Sequence, residues 1–372
     1  MWIEKTTEVI EVLKKYLKLI ATEYFAKYEK DFVRKVQIGL IKAYQQEFHE
    51  PGMVSVIEEI INNLNELSIS INGVKISTKS IFIHGNKSQV EFEYYGKRIQ
   101  RELGDLIFIL SVIYKRRKYF EKFTISQFKK GNNSLRWDFR KKEQVYLLSR
   151  FPSFRGIKGI IPKREFNLPN YSGCLGSFNL LFRPGDFLFV SAPLLEISTE
   201  NKKSIEIVDL CKFWEPPSYY FTYPIPFDWP YIEIDWPYIE KLFYLWRKLW
   251  KYGIPIPFFP PYFIGILGFS RSASNIHEFV DKYLRGNVGE LTYSVMRIHN
   301  PPAFNFLHAL LSVIMAKGQK EKRTEIINFV NEFFKYPYSG NEGGIIENID
   351  FDHEGGGIGI IYTSIDLSEG KE

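Results

Sequence analysis

The sequence predicts a mixed α/β (α+β) protein with an N-terminal helical arm, an α/β core and a β-rich, aromatic-rich C-terminal part. Apolar residues recur every three or four positions through residues 2–48 and again through 54–67, which is typical of amphipathic helices. Residues 67–130 instead contain short β-branched and aromatic runs, with Asn72-Gly73 as a hairpin signal. Beyond residue 151, glycines separate short apolar runs, which favours further strands.

The length of 372 residues predicts two or three domains. We divide the chain into an N-terminal helical region (1–50), an α/β core (51–160) and a C-terminal β-rich domain (161–372). The last of these includes an insertion at about 214–261 that holds five of the seven tryptophans and ten of the 19 prolines. Its aromatic residues favour packing or contact with a partner protein or a second copy of the chain, and stacking on unpaired bases is the alternative.

The individual elements follow from the same periodicities. Pro51-Gly52 interrupts the helical pattern after the N-terminal arm, and a polar segment, Lys115–Lys118, separates the two most apolar strands. The predicted strands of the core cover residues 67–71, 74–83, 90–95, 105–114 and 120–129, followed by a short strand at 137–139 and a helix at 142–150. In the C-terminal part we predict strands at 187–191 and 360–365 and helices at 274–284, 303–317 and 322–334.

The composition indicates the class of protein and the cellular compartment that we expect. Apolar residues make up 45% and charged residues 25%, which is typical of globular rather than disordered chains. Cys174 and Cys211 form no CxxC pair, which argues against a disulfide framework or a zinc site. The longest apolar run, Ile254–Phe269, contains four prolines and is too short to span a bilayer. We therefore expect no membrane association and a cytoplasmic location.

The positive charge is concentrated in one segment. Residues 96–165 hold 19 Lys/Arg against six Asp/Glu, whereas the net charge of the whole chain is only +6. Such a concentration is expected of a protein that neutralises a phosphate backbone, and a solvated surface is the alternative. The candidate nucleic-acid-binding residues are Arg116, Arg117, Lys118, Lys130, Arg140, Lys141 and Lys142.

Three polar residues at the ends of the two apolar strands carry the candidate chemistry. Asp105 opens the first strand, and Gln127 and Lys129 fall on one face near the end of the second, because side chains alternate along a strand. A carboxylate and an amide oxygen are ligands that Mg²⁺ or Mn²⁺ accepts. An adjacent ammonium can orient a water molecule or neutralise charge on a phosphate.

This arrangement resembles the PD-(D/E)XK nuclease superfamily over about residues 50–160, in the Gln-X-Lys form found among relatives of the Mrr restriction enzymes. The resemblance implies a restriction-endonuclease-like core in which Asp105, Gln127 and Lys129 are catalytic and the first two bind Mg²⁺ or Mn²⁺. It implies hydrolysis of nucleic acid, DNA more than RNA, and a role in defence against foreign nucleic acid. Gln127 in place of the commoner glutamate removes one negative charge from the metal site.

The resemblance also suggests supporting residues. Some members carry a glutamine on the following helix that touches DNA or the metal shell, and Gln144 is the candidate for that nucleic-acid-binding role here. The slightly favoured alternative is an ordinary polar residue in the first turn of a helix. A third metal-binding acid remains open between Glu102 and Glu58 or Glu59, and Glu91 and Glu93 are additional candidates. The alternative to an enzyme is a non-catalytic nucleic-acid-binding or assembly protein with a degenerate nuclease core.

Overall fold

A central mixed β-sheet organises the computed structural model of the chain. The structure describes residues 2–44, 50–71, 73–84, 86–131, 135–200, 202–211, 270–294, 297–339 and 355–368. These residues belong to one compact unit, formed by the chain before residue 216 and after residue 268. The Trp/Pro-rich segment at 214–261 lies outside the described residues, so its predicted contacts stay predictions.

Helices precede the first strand and alternate with groups of strands further along the chain. The first helix begins at Trp2, and the third contains Pro51 in its first turn, where the missing N–H of proline costs nothing. In chain order the described helices are α1 (Trp2–Ile20), α2 (Glu23–Tyr44), α3 (Glu50–Leu64), α4 (Lys142–Arg150), α5 (Ala192–Thr199), α6 (Ile207–Cys211), α7 (Ile276–Leu284), α8 (Pro301–Lys320) and α9 (Thr324–Phe334).

The strands come from both ends of the chain. The first nine are β1 (Leu67–Ile71), β2 (Val74–Ile83), β3 (Asn86–Lys87), β4 (Gln89–Tyr94), β5 (Lys97–Glu102), β6 (Leu106–Tyr114), β7 (Arg117–Lys130), β8 (Arg136–Asp138) and β9 (Phe154–Lys158). The others are β10 (Glu165–Phe166), β11 (Gly176–Arg183), β12 (Asp186–Ser191), β13 (Ser204–Glu206), β14 (Ser272–Ala273), β15 (Glu290–Ser294), β16 (Arg297–Ile298), β17 (Gly355–Gly356) and β18 (Ile358–Asp366).

The central sheet has the order β1-β2-β18-β6-β7-β11-β12-β14, with β15 also paired to β7 and β16 to β15. Strand β18, from the C-terminal end, lies antiparallel to β2 and parallel to β6. Strands β6 and β7 form an antiparallel hairpin, and β11 runs parallel to β7. A second sheet has the order β10-β9-β4-β5, and two further pairs join β13 to β8 and β17 to β3.

Helices cover both faces of the central sheet. On the face that we call the α2 face, Phe279 of α7 packs 5.1 Å from the ring of Phe108, and the Tyr28 hydroxyl of α2 lies 2.6 Å from Thr78 Oγ1. On the opposite face, which we call the α4 face, the main core joins Ile107 and Ile125 of the hairpin to apolar residues of α4, α5, α8, α9 and the second sheet. The arrangement is therefore layered, with the β6–β7 hairpin buried at its centre.

The predicted mixed α/β class is confirmed, and most predicted elements of the described residues are present within a few residues of their predicted bounds. The predicted boundary near residue 160 is wrong as a division of the sheet. Strands β11, β12 and β18 come from the predicted C-terminal domain but pair, directly or through one another, with the strands of the predicted core. In the part of the chain that the structure describes, no helix is long and apolar enough to cross a membrane.

Lys118, predicted to contact nucleic acid, is instead completely buried, and that prediction is wrong. Its Nζ lies 2.9 Å from Glu121 Oε2 and 3.4 Å from the centre of the Phe333 ring. The hairpin register shifts between Val112 and Ile113, so β7 carries one extra residue there. This β-bulge turns Lys118 to the same face as Glu121, three residues away, and so into the core rather than into solvent.

The buried ion pair belongs to a polar network that links the hairpin to the late helices. Tyr338 Oη donates to Glu121 Oε2 at 3.1 Å, and His308 Nε2 of α8 lies 2.7 Å from the same hydroxyl. Within the described residues, Nδ1 of His308 has no hydrogen-bond partner. Burial lowers the pKa of His308 from its usual 6.5 to about 4, against the opposing attraction of Glu121. The imidazole is therefore neutral in the folded protein at neutral pH.

We predict that acid destabilises the protein through His308. Between about pH 6.5 and pH 4 the unfolded chain binds a proton at this residue and the folded chain does not, so the free energy of unfolding falls as pH falls. The whole shift corresponds to a loss on the order of 3 kcal/mol. Urea titrations at several pH values should show a shallower pH dependence of the free energy of unfolding for His308→Gln than for the native sequence.

His277→Gln, on an exposed position of α7, is the control and should keep the native dependence. The same slope for His308→Gln and the native protein would contradict the prediction.

Candidate functional site

The register of the β6–β7 hairpin brings Asp105 beside Gln127. Leu106 pairs with Ser126, and the backbone N–H of Asp105 donates to the Ser126 carbonyl at 2.9 Å. Gly104 precedes this contact, and a Cβ at that position would lie 2.6 Å from Cγ2 of Ile125. The chain can therefore enter β6 this close to β7 only with glycine at position 104. The sequence separation of 22 between Asp105 and Gln127 is therefore set by the hairpin that joins them.

The Asp105 carboxylate is held by β7 from two sides. Oδ2 accepts a hydrogen bond of 2.8 Å from the backbone N–H of Phe128 and a second from Nε2 of Gln127. A backbone donor and a side-chain donor on one oxygen fix the orientation of the carboxylate. Gln127 is only 7% exposed, so this hydrogen bond is formed in a largely dry environment, where it is stronger than in water.

Gln144 completes the cluster from the first turn of α4. Its Nε2 donates to the backbone carbonyl of Glu102 at 2.8 Å and lies 3.4 Å from Oε1 of Gln127. The side chain is buried, which is uncommon for glutamine. Asp105, Gln127 and Gln144, which we call the Asp105 cluster, therefore join the starts of β6 and α4 to the end of β7. The structure brings these three predicted residues together.

Lys129 lies on the same face of β7 as Gln127 and is half-buried. The intervening Phe128 points to the α2 face, where its ring packs 6.0 Å from that of Phe187. The Lys129 ammonium lies close enough to Asp138 to help lower the pKa of that carboxyl, after the larger effect of hydrogen bonds from Arg140. Lys129 therefore stands on the Gln127 face of β7 and within electrostatic range of the exposed Asp138 of β8.

The donor chemistry of the Asp105 cluster suits a hard cation in part. The Asp105 carboxylate and the Gln127 amide are oxygen donors, and protein Mg²⁺ sites commonly use one or two carboxylates, with water and substrate phosphate completing the shell. Among the described residues, no group of three or more His, Cys, Asp or Glu side chains is arranged to hold a metal. Two oxygen donors from Asp105 and Gln127 would leave the rest of the shell of such a cation to water or to a phosphate.

The candidate third acids have different positions. Glu102 is half-buried at the end of β5, and its backbone carbonyl belongs to the hydrogen bonds of Gln144. Oε1 of Glu58 lies 3.2 Å from Nδ1 of His84. Helix α3, which carries Glu58, packs on the α2 face, since Ile57 and Ile61 meet Gly359 and Leu106 there. The placement of Glu58 as a ligand beside Gln127 is wrong, because the sheet separates the two.

The basic candidates divide between the two ends of the hairpin. Arg116 and Arg117 are exposed at the turn after β6, and the eight residue steps of β6 from Leu106 to Tyr114 correspond to about 27 Å. Lys130, Arg140 and Lys141 are exposed at the other end, near the Asp105 cluster. Lys142 donates to the carbonyls of Thr199 and Glu200 at 2.8 and 2.7 Å, so it ties α4 to the end of α5.

Sequence reasoning missed basic residues that reach this end of the hairpin from elsewhere. Strand β13 pairs with β8, and the Phe139 N–H donates to the Lys203 carbonyl at 2.8 Å. Lys202 and Lys203 are exposed there, as is Arg136 of β8. Their separation of more than 60 residues in the chain gave no signal for this pairing. Comparison with known proteins adds no further candidates, since no protein-family model, curated protein or solved structure matches the chain.

We predict that Gln144 stabilises the fold through the Asp105 cluster. Gln144→Leu leaves the Glu102 carbonyl and Gln127 Oε1 without this donor, and a buried unsatisfied acceptor costs about 1–3 kcal/mol. Urea denaturation should show a loss of that size. Gln100→Leu, on an exposed position of β5, is the control and should change the free energy of unfolding by less than about 0.5 kcal/mol. Equal stability of the Gln144 variant and the control would show that the buried hydrogen bonds contribute nothing net.

Proposed function

We propose that the protein is a Mg²⁺- or Mn²⁺-dependent phosphodiesterase that hydrolyses nucleic acid, DNA in preference to RNA. The observation that carries the proposal is the Asp105 cluster, in which a fixed carboxylate and an amide lie side by side on adjacent strands. Lys129 stands on the same face two residues further along. An anionic ligand, an oxygen donor and an ammonium on one face suit phosphodiester hydrolysis at a metal ion, and their order is that of the resembled nuclease pattern.

Each residue has a definite task in this proposal. Asp105 and Gln127 hold the cation, which supplies Lewis-acid chemistry when bound, and Gln144 positions the Gln127 amide. Lys129 donates hydrogen bonds to the attacking water or to the phosphate, where negative charge develops in the transition state. In the structure Nε2 of Gln127 donates to Asp105 and Oε1 accepts from Gln144, so the amide must rotate to present Oε1 to the cation, and Gln144 positions it only in the metal-free protein. Amide rotation is a small change, since the two ends of the group differ little in shape.

The order of elements supports a restriction-endonuclease-like core. A helix (α3) precedes the β6–β7 hairpin, α4 follows it, and β11 then runs parallel to β7. The basic residues at this end of the hairpin suit a nucleic-acid substrate. By analogy with the Mrr relatives, we propose a role in defence against foreign nucleic acid in the cytoplasm, and this step is an analogy of fold rather than of chemistry.

We predict that cleavage depends on Asp105 and Lys129. The native protein should cleave labelled DNA, duplex or single-stranded, in Mg²⁺ or Mn²⁺ and not in EDTA. Asp105→Asn and Lys129→Ala should each reduce the rate by roughly a hundredfold or more, because removing a transition-state interaction lowers turnover more than binding. RNA substrates in the same assay test the preference for DNA.

Matched controls are present at the other end of the sheet. Asp366 accepts a backbone hydrogen bond of 3.0 Å from Ser368, much as Asp105 does from Phe128, and Lys75 is an exposed lysine on β2. Asp366→Asn and Lys75→Ala should cleave at the native rate. Metal-dependent cleavage that survives in both Asp105→Asn and Lys129→Ala would sink the assignment.

A non-catalytic nucleic-acid-binding protein is the second candidate, and the Gln127 contact favours it. A neutral amide that already satisfies Asp105 makes a stable pair without any cation. The two candidates predict different effects of divalent metal ions on the protein, and a variant at Gln127 can make that difference larger. Gln127→Glu places two carboxylates side by side, and like charges at such distances repel unless a cation lies between them.

We predict that Gln127→Glu makes the stability of the protein depend on metal. Without divalent ions its thermal midpoint should fall below that of the native protein, and Mg²⁺ or Mn²⁺ at millimolar concentration should raise it by more than it raises the native midpoint. Glu93→Gln, at an exposed position of β4, is a control for the effect of surface charge and should show no such response. A folded Gln127→Glu protein whose thermal midpoint does not change with Mg²⁺ or Mn²⁺ would exclude Gln127 as a ligand and favour the non-catalytic candidate.

A further inference from the structure

The β8–β13 pair, with the residues between β8 and α4, forms a small ribbon beside the Asp105 cluster. Trp137 pairs with Ile205, and both side chains are completely buried. Because side chains alternate along a strand, the neighbouring pairs face outward: Arg136 with Glu206, and Asp138 with Ser204. We call β8, β13 and residues 139–141 and 202–203 the basic ribbon.

The basic ribbon is fixed firmly to the end of β7. The indole N–H of Trp137 donates to the Leu181 carbonyl at 3.0 Å, and the Gly131 N–H donates to the same carbonyl at 2.9 Å. Leu181 stands opposite Lys130 in the β11–β7 register. A Cβ on Gly131 would lie 3.0 Å from Trp137 Nε1, so the chain leaves β7 closely packed against the indole. The ribbon therefore has a defined position relative to Gln127 and Lys129.

The exposed surface of the basic ribbon is strongly cationic. Two of its carboxylates are already in ion pairs, Asp138 with Arg140 and Asp209 of the adjoining α6 with Lys202. Glu206 and Glu200, the latter directly after α5, are the other carboxylates of this surface. Against these four stand six exposed cations around the ribbon and the adjoining end of β7: Lys130, Arg136, Arg140, Lys141, Lys202 and Lys203.

The basic ribbon also lies next to the proposed reaction centre. Lys129 and Asp138 are near enough to interact electrostatically. Lys141 immediately precedes α4, whose first turn carries Gln144 of the Asp105 cluster. A nucleic-acid strand with one phosphate at Asp105 and Lys129 would therefore carry its neighbouring phosphates over the ribbon. Cations on a rigid ribbon beside a reaction centre are placed to fix the register of a strand without reading its bases.

We propose that the basic ribbon binds the phosphate backbone of a DNA duplex and so positions the strand that enters the Asp105 cluster. This inference rests on the proposed function and names the part of the protein that holds its substrate. It joins residues from two distant parts of the chain, and it assigns a role to Arg136, Lys202 and Lys203. It gives no role in binding this strand to the basic turn at Lys115–Arg117, which lies at the far end of the sheet.

The test compares two triple variants that remove the same charge. The ribbon triple is Arg136→Ser, Lys141→Ser and Lys203→Ser, and the turn triple is Lys115→Ser, Arg116→Ser and Arg117→Ser; all six residues are exposed. Each triple is made in the Asp105→Asn protein, so that binding is measured without cleavage. Fluorescence anisotropy in EDTA then gives the affinity for a labelled duplex of about 20 base pairs between roughly 50 and 300 mM NaCl.

The ribbon triple should reduce the steepness of the slope of log affinity against log salt by up to about 2.7, which is about 0.9 for each phosphate that the variant no longer neutralises. It should also weaken binding roughly tenfold or more near 100 mM NaCl. The turn triple should leave both quantities close to those of the parent. Equal weakening by the two triples would show a response to net charge alone and overturn the inference, as would failure of the Asp105→Asn parent to bind the duplex. Circular dichroism melts exclude unfolding as a cause.

The inference and the proposed function can fail separately. If the native protein binds the duplex through the basic ribbon but cleaves nothing in Mg²⁺ or Mn²⁺, the role of the ribbon in DNA binding is supported and the nuclease proposal is rejected. If the native protein cleaves DNA, and the ribbon triple made in the native background binds and cleaves as the turn triple does, the nuclease proposal is supported and the role of the ribbon is rejected.

Discussion

The register of the β6–β7 hairpin is the constraint on which the rest of the structure depends. Every residue of β6 is buried, so a slip of one position would exchange the side chains that face α2 for those that face α4. The two-residue turn fixes the pairing at one end, because Lys115 and Arg116 both adopt positive φ, as a type I′ turn requires. At the other end Gly104 allows the closest approach to Ile125, and Asp105 meets Gln127 as a consequence. The same hairpin supplies Glu121 and Lys118 to the buried network at its turn end.

The sequence was informative where periodicity alone determines structure. Alternation along 120–129 placed Gln127 and Lys129 on one face, and the helix at 142–150 placed Gln144 in its first turn; both predictions agree with the structure. Pairing between distant segments has no such local signal. Strand β18 enters the sheet between β2 and β6, and its backbone reaches the Asp105 cluster through a hydrogen bond from Gly359 to the Asp105 carbonyl. Nothing near Gly359 in the chain predicts that neighbour, so the division of the sheet at residue 160 could not have been corrected from the sequence.

Lys118 shows how a single inserted residue defeats a pattern. Read as one of four consecutive basic residues, it belongs to an exposed turn, and three of the four do lie in solvent. The β-bulge reverses the side on which Lys118 emerges, and aromatic rings of α9 and of Tyr338 then enclose its ammonium. A buried ammonium persists only with a partner, and Glu121 is that partner. The charge thus helps to join the hairpin to the late helices, and it is not available to a phosphate.

The neutral amide of Gln127 explains how the Asp105 cluster can be well ordered and still suit a cation. Two adjacent carboxylates in so buried a position would repel each other, and one would have to bind a proton or a metal for the chain to fold around them. With glutamine, the same position donates a hydrogen bond to Asp105, and Gln144 in turn donates to the carbonyl end of the amide. Glutamine therefore leaves no pair of buried carboxylates that requires a proton or a metal ion, at the cost of one negative charge that would strengthen the proposed metal binding. In the proposed enzyme that missing charge is supplied by the substrate phosphate, so the cation and the nucleic acid would bind most tightly together, and the positive surface of the basic ribbon favours the same joint binding.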